Sequence, residues 1–162
     1  MVVLRYAFAL ALACWLGGMV LLGAVVAPST FSVLEARDAN AGRVLAGAVF
    51  GETLRRFHVV SYIAGAVLLA SLAGMAMAGS RPAALGARLA VAALMLALAL
   101  VSGTVITRRI ERLQQQIPGA VAALPADDPR RIEFGRWHAL STGLMLVNIA
   151  GGLVLLYWEA RP

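Results

Sequence analysis

The sequence predicts an all-α protein: an integral membrane, up-down four-helix bundle with an amphipathic interfacial helix between spans one and two. Three observations carry that expectation. Of 162 residues, 61% are hydrophobic and only 14% charged, whereas a soluble domain is nearer ~45–50% apolar with ~25% charged. Mean hydropathy is +0.84. The apolar residues also gather into four runs, at about 6–27, 55–78, 83–106 and 136–158, each long enough to cross a ~30 Å hydrocarbon core as a helix. A single transmembrane domain, residues 1–162, accounts for the chain.

The first run, Tyr6 to Ala27, has 22 residues and no charge. Arg5 before it and the small residues from Ala24 to Ala27 mimic a signal peptide. The run is longer than the usual ~7–15-residue signal core, so a retained helix is expected, ended by Pro28. Glu35, Arg37, Asp38, Arg43 and Glu52 follow, with Val44, Leu45, Ala48 and Val49 at helical spacing. Ala39–Leu54 therefore reads as an amphipathic helix, lying at the interface or leading into the next span.

The second span runs from Arg55 to Ala78, and Gly79-Ser80-Arg81-Pro82 reads as a turn tight enough to force an antiparallel partner. The third, Ala83–Ile106, should continue as a polar helix to Gln116, with Arg108 and Glu111 at ion-pair spacing. Ile117–Gly135, with three prolines, reads as a solvated loop. The fourth span, Arg136–Trp158, closes on Tyr157 and Trp158 as an aromatic belt. Glycines at 17, 18, 23, 65, 74, 143, 151 and 152 would let helix backbones approach.

All 14 basic residues are arginine and the net charge is +6. They flank apolar runs without forming a dense basic stretch or a recognised motif, so no nucleic-acid partner is expected. The lipid bilayer is the partner they fit, as snorkelling interfacial anchors. Ten arginines (37, 43, 55, 56, 108, 109, 112, 130, 131 and 136) lie on the side of the two large loops. Four (5, 81, 88 and 161) lie on the other. The positive-inside rule then puts large loops one and three in the cytoplasm, and the expected location is a bacterial inner membrane. The lone Cys14 cannot form an intrachain disulfide and reads as a small packing residue.

The chemistry centres on a repeated pattern. Arg56-Phe57-His58-Val59-Val60-Ser61 matches Arg136-Trp137-His138-Ala139-Leu140-Ser141 as Arg, aromatic, His, two apolar residues, Ser, and these are the only two histidines. Spans two and four run parallel, so both imidazoles sit at similar depth and, in a sequential bundle, on diagonal helices facing one interior. Two imidazoles so placed could bind haem b, with Arg56 and Arg136 available for the propionates. They could equally hold a copper or zinc ion, or form part of a path for a small solute. The competing reading is structural, since an arginine, an aromatic ring and a hydrogen-bonding ring also suit a membrane interface.

Deeper in the fourth span, Asn148 needs a hydrogen-bonding partner in so apolar a setting. With Ser61, Ser141 and Trp15 it makes up the candidate polar interior. The methionines could serve as soft ligands but are ordinary filler in apolar helices. Phosphate-binding glycine loops, nucleophile triads and paired carboxylates within the spans are missing from the sequence, which points away from an enzyme. Four spans enclose a narrow interior, so a transporter of this size is expected to form a homo-oligomer.

The chain resembles the transmembrane protein 205-like family, whose domain is of unknown function. The resemblance is carried by Trp15-Leu16-Gly17-Gly18 on a first helix ending at Pro28, by Phe57-His58, and by Arg136-Trp137-His138-Ala139-Leu140-Ser141 through Asn148. In gross plan that family is similar to copper-resistance D-type membrane domains, and more remotely to four-helix anthrone-oxygenase-like proteins. The resemblance implies a four-helix membrane fold with polar positions matching His58, His138, Ser141 and Asn148. It implies no settled activity, and metal handling follows from it only by analogy.

Overall fold

The computed structural model describes residues 2–79 and 82–161. Four helices long and apolar enough to cross a membrane make up most of it: α1 (Val2–Glu35), α2 (Ala41–Met77), α3 (Leu85–Gln115) and α4 (Pro129–Ala160). They have 31 to 37 residues, about 47–55 Å at ~1.5 Å per residue. That exceeds the ~30 Å of a hydrocarbon core. The described residues contain no strand.

The packing is sequential. α1 lies against α2, α2 against α3, α3 against α4, and α4 closes the ring on α1, which leaves α2 and α4 as diagonal partners. One half of the ring is solid. Phe8, Leu12 and Trp15 of α1 meet Leu68 and Leu72 of α2, Met95 of α3 and Leu155 of α4, all at most 2% exposed. Leu10, Ile63, Leu94 and Leu146 point outward, which suits a surface solvated by lipid. Cys14 is also on that outward face rather than in the packing. Of the glycines expected at contacts, Gly18, Gly65, Gly151 and Gly152 abut side chains of neighbouring helices, while Gly17 and Gly143 face open space.

Several boundaries differ from the sequence reading. Pro28 does not end α1. The ladder widens into a π turn over Leu22–Val26, where the Ala27 amide reaches back five residues to the Leu22 carbonyl. Pro28 has no amide to offer, and this shift just ahead of it lets the helix run on to Glu35. The amphipathic stretch 39–54 is the leading part of α2 and flows into the second span. Asp38 caps it, its Oδ1 accepting from the Asn40 and Ala41 amides at 2.9 and 2.7 Å.

α4 starts seven residues before its expected first residue, at Pro129, inside the stretch read as loop. Asp128 is its N-cap, accepting from the Arg130 amide at 2.8 Å, with proline at the first helical position where its missing amide costs nothing. Arg108 and Glu111 do not pair; among the described residues α3 is tied to α4 by Arg109 and Glu133 at 2.6 Å. The Ser80-Arg81 part of the expected turn lies outside the described residues.

The end near the termini is closed by Arg88, which is 5% exposed and not the snorkelling anchor its position suggests. Its guanidinium donates to Glu159 at 2.7 Å and to the Trp158 carbonyl at 2.5 Å, satisfying the last turn of α4. Arg5 approaches the other Glu159 oxygen at 3.6 Å, so one carboxylate joins α1, α3 and α4.

Candidate functional site

The other half of the ring is hollow. A cavity of about 430 Å³ lies between the four helices on the large-loop side, walled by side chains of all four. Trp15, 1% exposed, is both part of the solid core and a wall of this cavity. A wider outer chamber of about 680 Å³ sits under the large loops. The two chambers share Phe31, Gly47, Glu111, Gln114, Phe134 and His138, and those residues form the mouth between them.

His58 and His138 both line the inner cavity, from diagonal helices. Their surroundings differ. His58 is buried, stacked on Tyr62 one turn on, with its Nε2 3.4 Å from the Thr107 hydroxyl. His138 is exposed at the mouth, stacked on Phe134. Gly103, in a second π turn over Ser102–Ile106, is what lets α2 and α3 meet here. A Cβ on Gly103 would overlap the Tyr62 hydroxyl and stand 2.9 Å from the His58 ring. The same π turn leaves the Ser102 carbonyl accepting from both the amide and the hydroxyl of Thr107.

Arg56 and Arg136 are not brought to the histidines. Arg56 is 78% exposed and pairs with Glu52 at 2.7 Å. Hydrogen bonds from Arg55 and Arg56 hold that carboxyl down to about 2. Arg136 lies with Trp137 and Leu140 along a separate outer groove. Among the described residues no three of His, Cys, Asp and Glu cluster as a metal site.

The remaining expected polar residues all face the cavity. Ser61, Ser141 and Asn148 line it. Ser61, Thr107 and Thr142 each spend the hydroxyl proton on a backbone carbonyl of their own helix, at 3.0, 3.0 and 3.1 Å. What these three present to the cavity is lone pairs. Asn148 is 4% exposed. Its Nδ2 donates to the Leu144 carbonyl at 3.2 Å, and its Oδ1 is buried without a partner. Such an atom forfeits about 1–3 kcal/mol of hydration.

Two residues of this region escaped the sequence reading. Among the described residues Glu111 is the only charged side chain that lines the inner cavity, whereas spacing suggested a surface pair. Gly103 was hidden because its role depends on which helix face meets α2. The polar run Ser102, Thr104, Thr107 was the available signal for both, since it marks the side of α3 on which apolar packing stops.

Fold and cavity together define a protein of four membrane-spanning helices around a largely apolar cavity that carries a few polar groups. The sequence profile described as Domain of unknown function (DUF4149) matches residues 10–118, and the chain belongs to that family. No curated protein and no solved structure matches it.

Proposed function

We propose that this protein binds a small, largely apolar solute in the cavity between its four helices, taken up from the side of the large loops. The observation that carries the reading is Asn148, whose buried carbonyl oxygen is left without a partner at the wall of a cavity that also holds Trp15, His58 and Ser61. A bound molecule donating one hydrogen bond would satisfy it. The volume, about 430 Å³, falls within the ~300–1,000 Å³ range of small-molecule sites. The solid core beyond Trp15 favours binding over an open pore, so permeation would require the helices to move. The arginine distribution supports large loops in the cytoplasm of a bacterial inner membrane, and the resemblance to transmembrane protein 205-like proteins fits the four-span plan.

The test uses 2-phenylethanol, a neutral molecule with an aromatic body and one hydroxyl. It should raise the thermal unfolding midpoint of the protein in nanodiscs, as a ligand of the folded state must, and Asn148→Leu should abolish that shift. A wild-type midpoint that does not respond contradicts the reading.

One observation favours a second reading, a copper or zinc ion or haem b held by His58 and His138: both imidazoles face the same cavity. The donor set fits poorly, because no third ligand joins them among the described residues and the arginines meant for propionates point elsewhere. Stoichiometric metal or a Soret band in purified protein, lost in both His58→Ala and His138→Ala, would put this reading first.

A further inference from the structure

Resting on the binding reading above, we infer that the solute is a lipophilic amine bound as its ammonium, rather than a neutral molecule or an anion. Among the described residues the inner cavity carries one full charge, the Glu111 carboxylate at its mouth, and no arginine. Of the two arginines of the outer chamber, Arg43 is neutralised by Glu35 at 2.7 Å, while Arg131 keeps its charge and turns its guanidinium to the Leu124 carbonyl at 2.6 Å. Glu111 makes no ion pair within 4 Å among the described residues; the nearby Arg55, which feels its charge, is itself bound to Glu52. A carboxylate so placed beside a low-dielectric chamber attracts a cation and repels an anion.

Much of the rest of the lining agrees, the exceptions being Gln114 and the two histidines, which also carry N–H donors. Three of the five hydroxyls around the cavity, those of Ser61, Thr107 and Thr142, have given their protons to backbone carbonyls. They can only accept from a ligand. Asn148 adds an unpartnered acceptor that is nine-tenths buried and lies on the same wall. Aromatic faces complete the lining, from Trp15, Phe31, Phe50, Phe57 and Phe134, and such faces attract cations through the ring quadrupole. An ammonium brings three donors and one positive charge, which is what acceptors, rings and a carboxylate have in common as a requirement. An alcohol brings one donor and no charge.

Three probes with one shared body separate these contributions: 2-phenylethylammonium, 2-phenylethanol and trimethyl(2-phenylethyl)ammonium. Titration calorimetry on the full chain in nanodiscs should find the ammonium about tenfold tighter than the alcohol, the advantage of charge-assisted over neutral hydrogen bonds. The trimethyl compound keeps the charge but has no N–H, and it should lose most of that advantage. Glu111→Gln should erase the preference for ammonium while 2-phenylethanol still binds, which shows that the cavity is intact, and Glu111→Asp should retain it. An alcohol that binds as tightly as the ammonium, in wild type and Glu111→Gln alike, overturns the inference and leaves solute binding standing. If neither binds, both readings fall.

Discussion

At the scale of single residues, the hollow half of the bundle is kept open by groups that make poor packing. Asn148 leaves its carbonyl oxygen unpaired and buried, so replacing it with leucine removes a desolvated acceptor and adds apolar volume. Asn148→Leu should therefore be as stable as wild type or more so, by up to about 1–2 kcal/mol, while losing the response to 2-phenylethanol. A chemical or detergent unfolding series reads the first effect; marked destabilisation would mean that the Asn148–Leu144 bond, and not a ligand, is the reason for the amide. Gly103 is the opposite case, a site where close approach is obligatory. Gly103→Ala places a methyl where the Tyr62 hydroxyl and the His58 ring already stand, and should cost about 1–3 kcal/mol. An unchanged unfolding midpoint would show that α2 and α3 can separate there freely. The Arg88–Glu159 contact belongs to stability alone. Arg88→Met should cost about 1.5–3 kcal/mol, the range for hydrogen bonds to charged groups, without altering solute binding.

At the scale of elements, the large-loop ends of the helices are held by exposed carboxylates whose protonation is disfavoured. Arg130, through its side chain and then its amide, holds the Asp128 carboxyl down to about 2 from an ordinary 3.8. Glu133 is likewise lowered, chiefly by its hydrogen bond from Arg109 and then by that from Trp137. A carboxylate with a depressed folded-state value stabilises fully above its unfolded value and loses that contribution as pH falls through the folded one. The start of α4 should thus loosen between about pH 4 and pH 2 and be indifferent to pH above 5. Trp137, whose indole donates to Glu133 at 3.3 Å, reports it: in a chain carrying Trp15→Phe and Trp158→Phe, where it is the one tryptophan left, its emission should shift to the red across that window. Emission that stays constant across that window would show that these carboxylates do not hold the start of α4.

Elements were also where the sequence misled in part. Four apolar runs gave four spans, because hydropathy is additive along the chain. Helix continuity is not. Pro28 looked like a terminator since the π turn that accommodates it leaves no compositional trace. The proline-rich stretch before Gly135 hid Pro129 as a helix start because proline serves both roles. The repeated Arg-aromatic-His pattern, read as two helix entries, lies 15 residues into α2 and seven into α4, yet His58 and His138 do line one cavity. It failed for Arg56 and Arg136, whose long side chains turn outward from the same helical turns. The carboxylate that lines the cavity, Glu111, was read as a surface partner because its helix face is fixed only by packing.

On the scale of the whole molecule, the account is of a bundle solid toward its termini and hollow toward its large loops, with the boundary at Trp15 and Asn148. On the proposed reading a solute enters from the loop side, through the mouth at Phe31, Glu111 and His138, because the far end is shut by the Phe8–Leu72 core and the Arg88 contact. The measurement that tests this most directly is the accessibility of position 141, half-buried on the cavity wall. In a Cys14→Ala background, Ser141→Cys should react with a membrane-impermeant, cationic methanethiosulfonate applied from the large-loop side, and bound 2-phenylethylammonium should protect it. No reaction from that side, or reaction indifferent to the ammonium, would contradict the cavity on which the function rests.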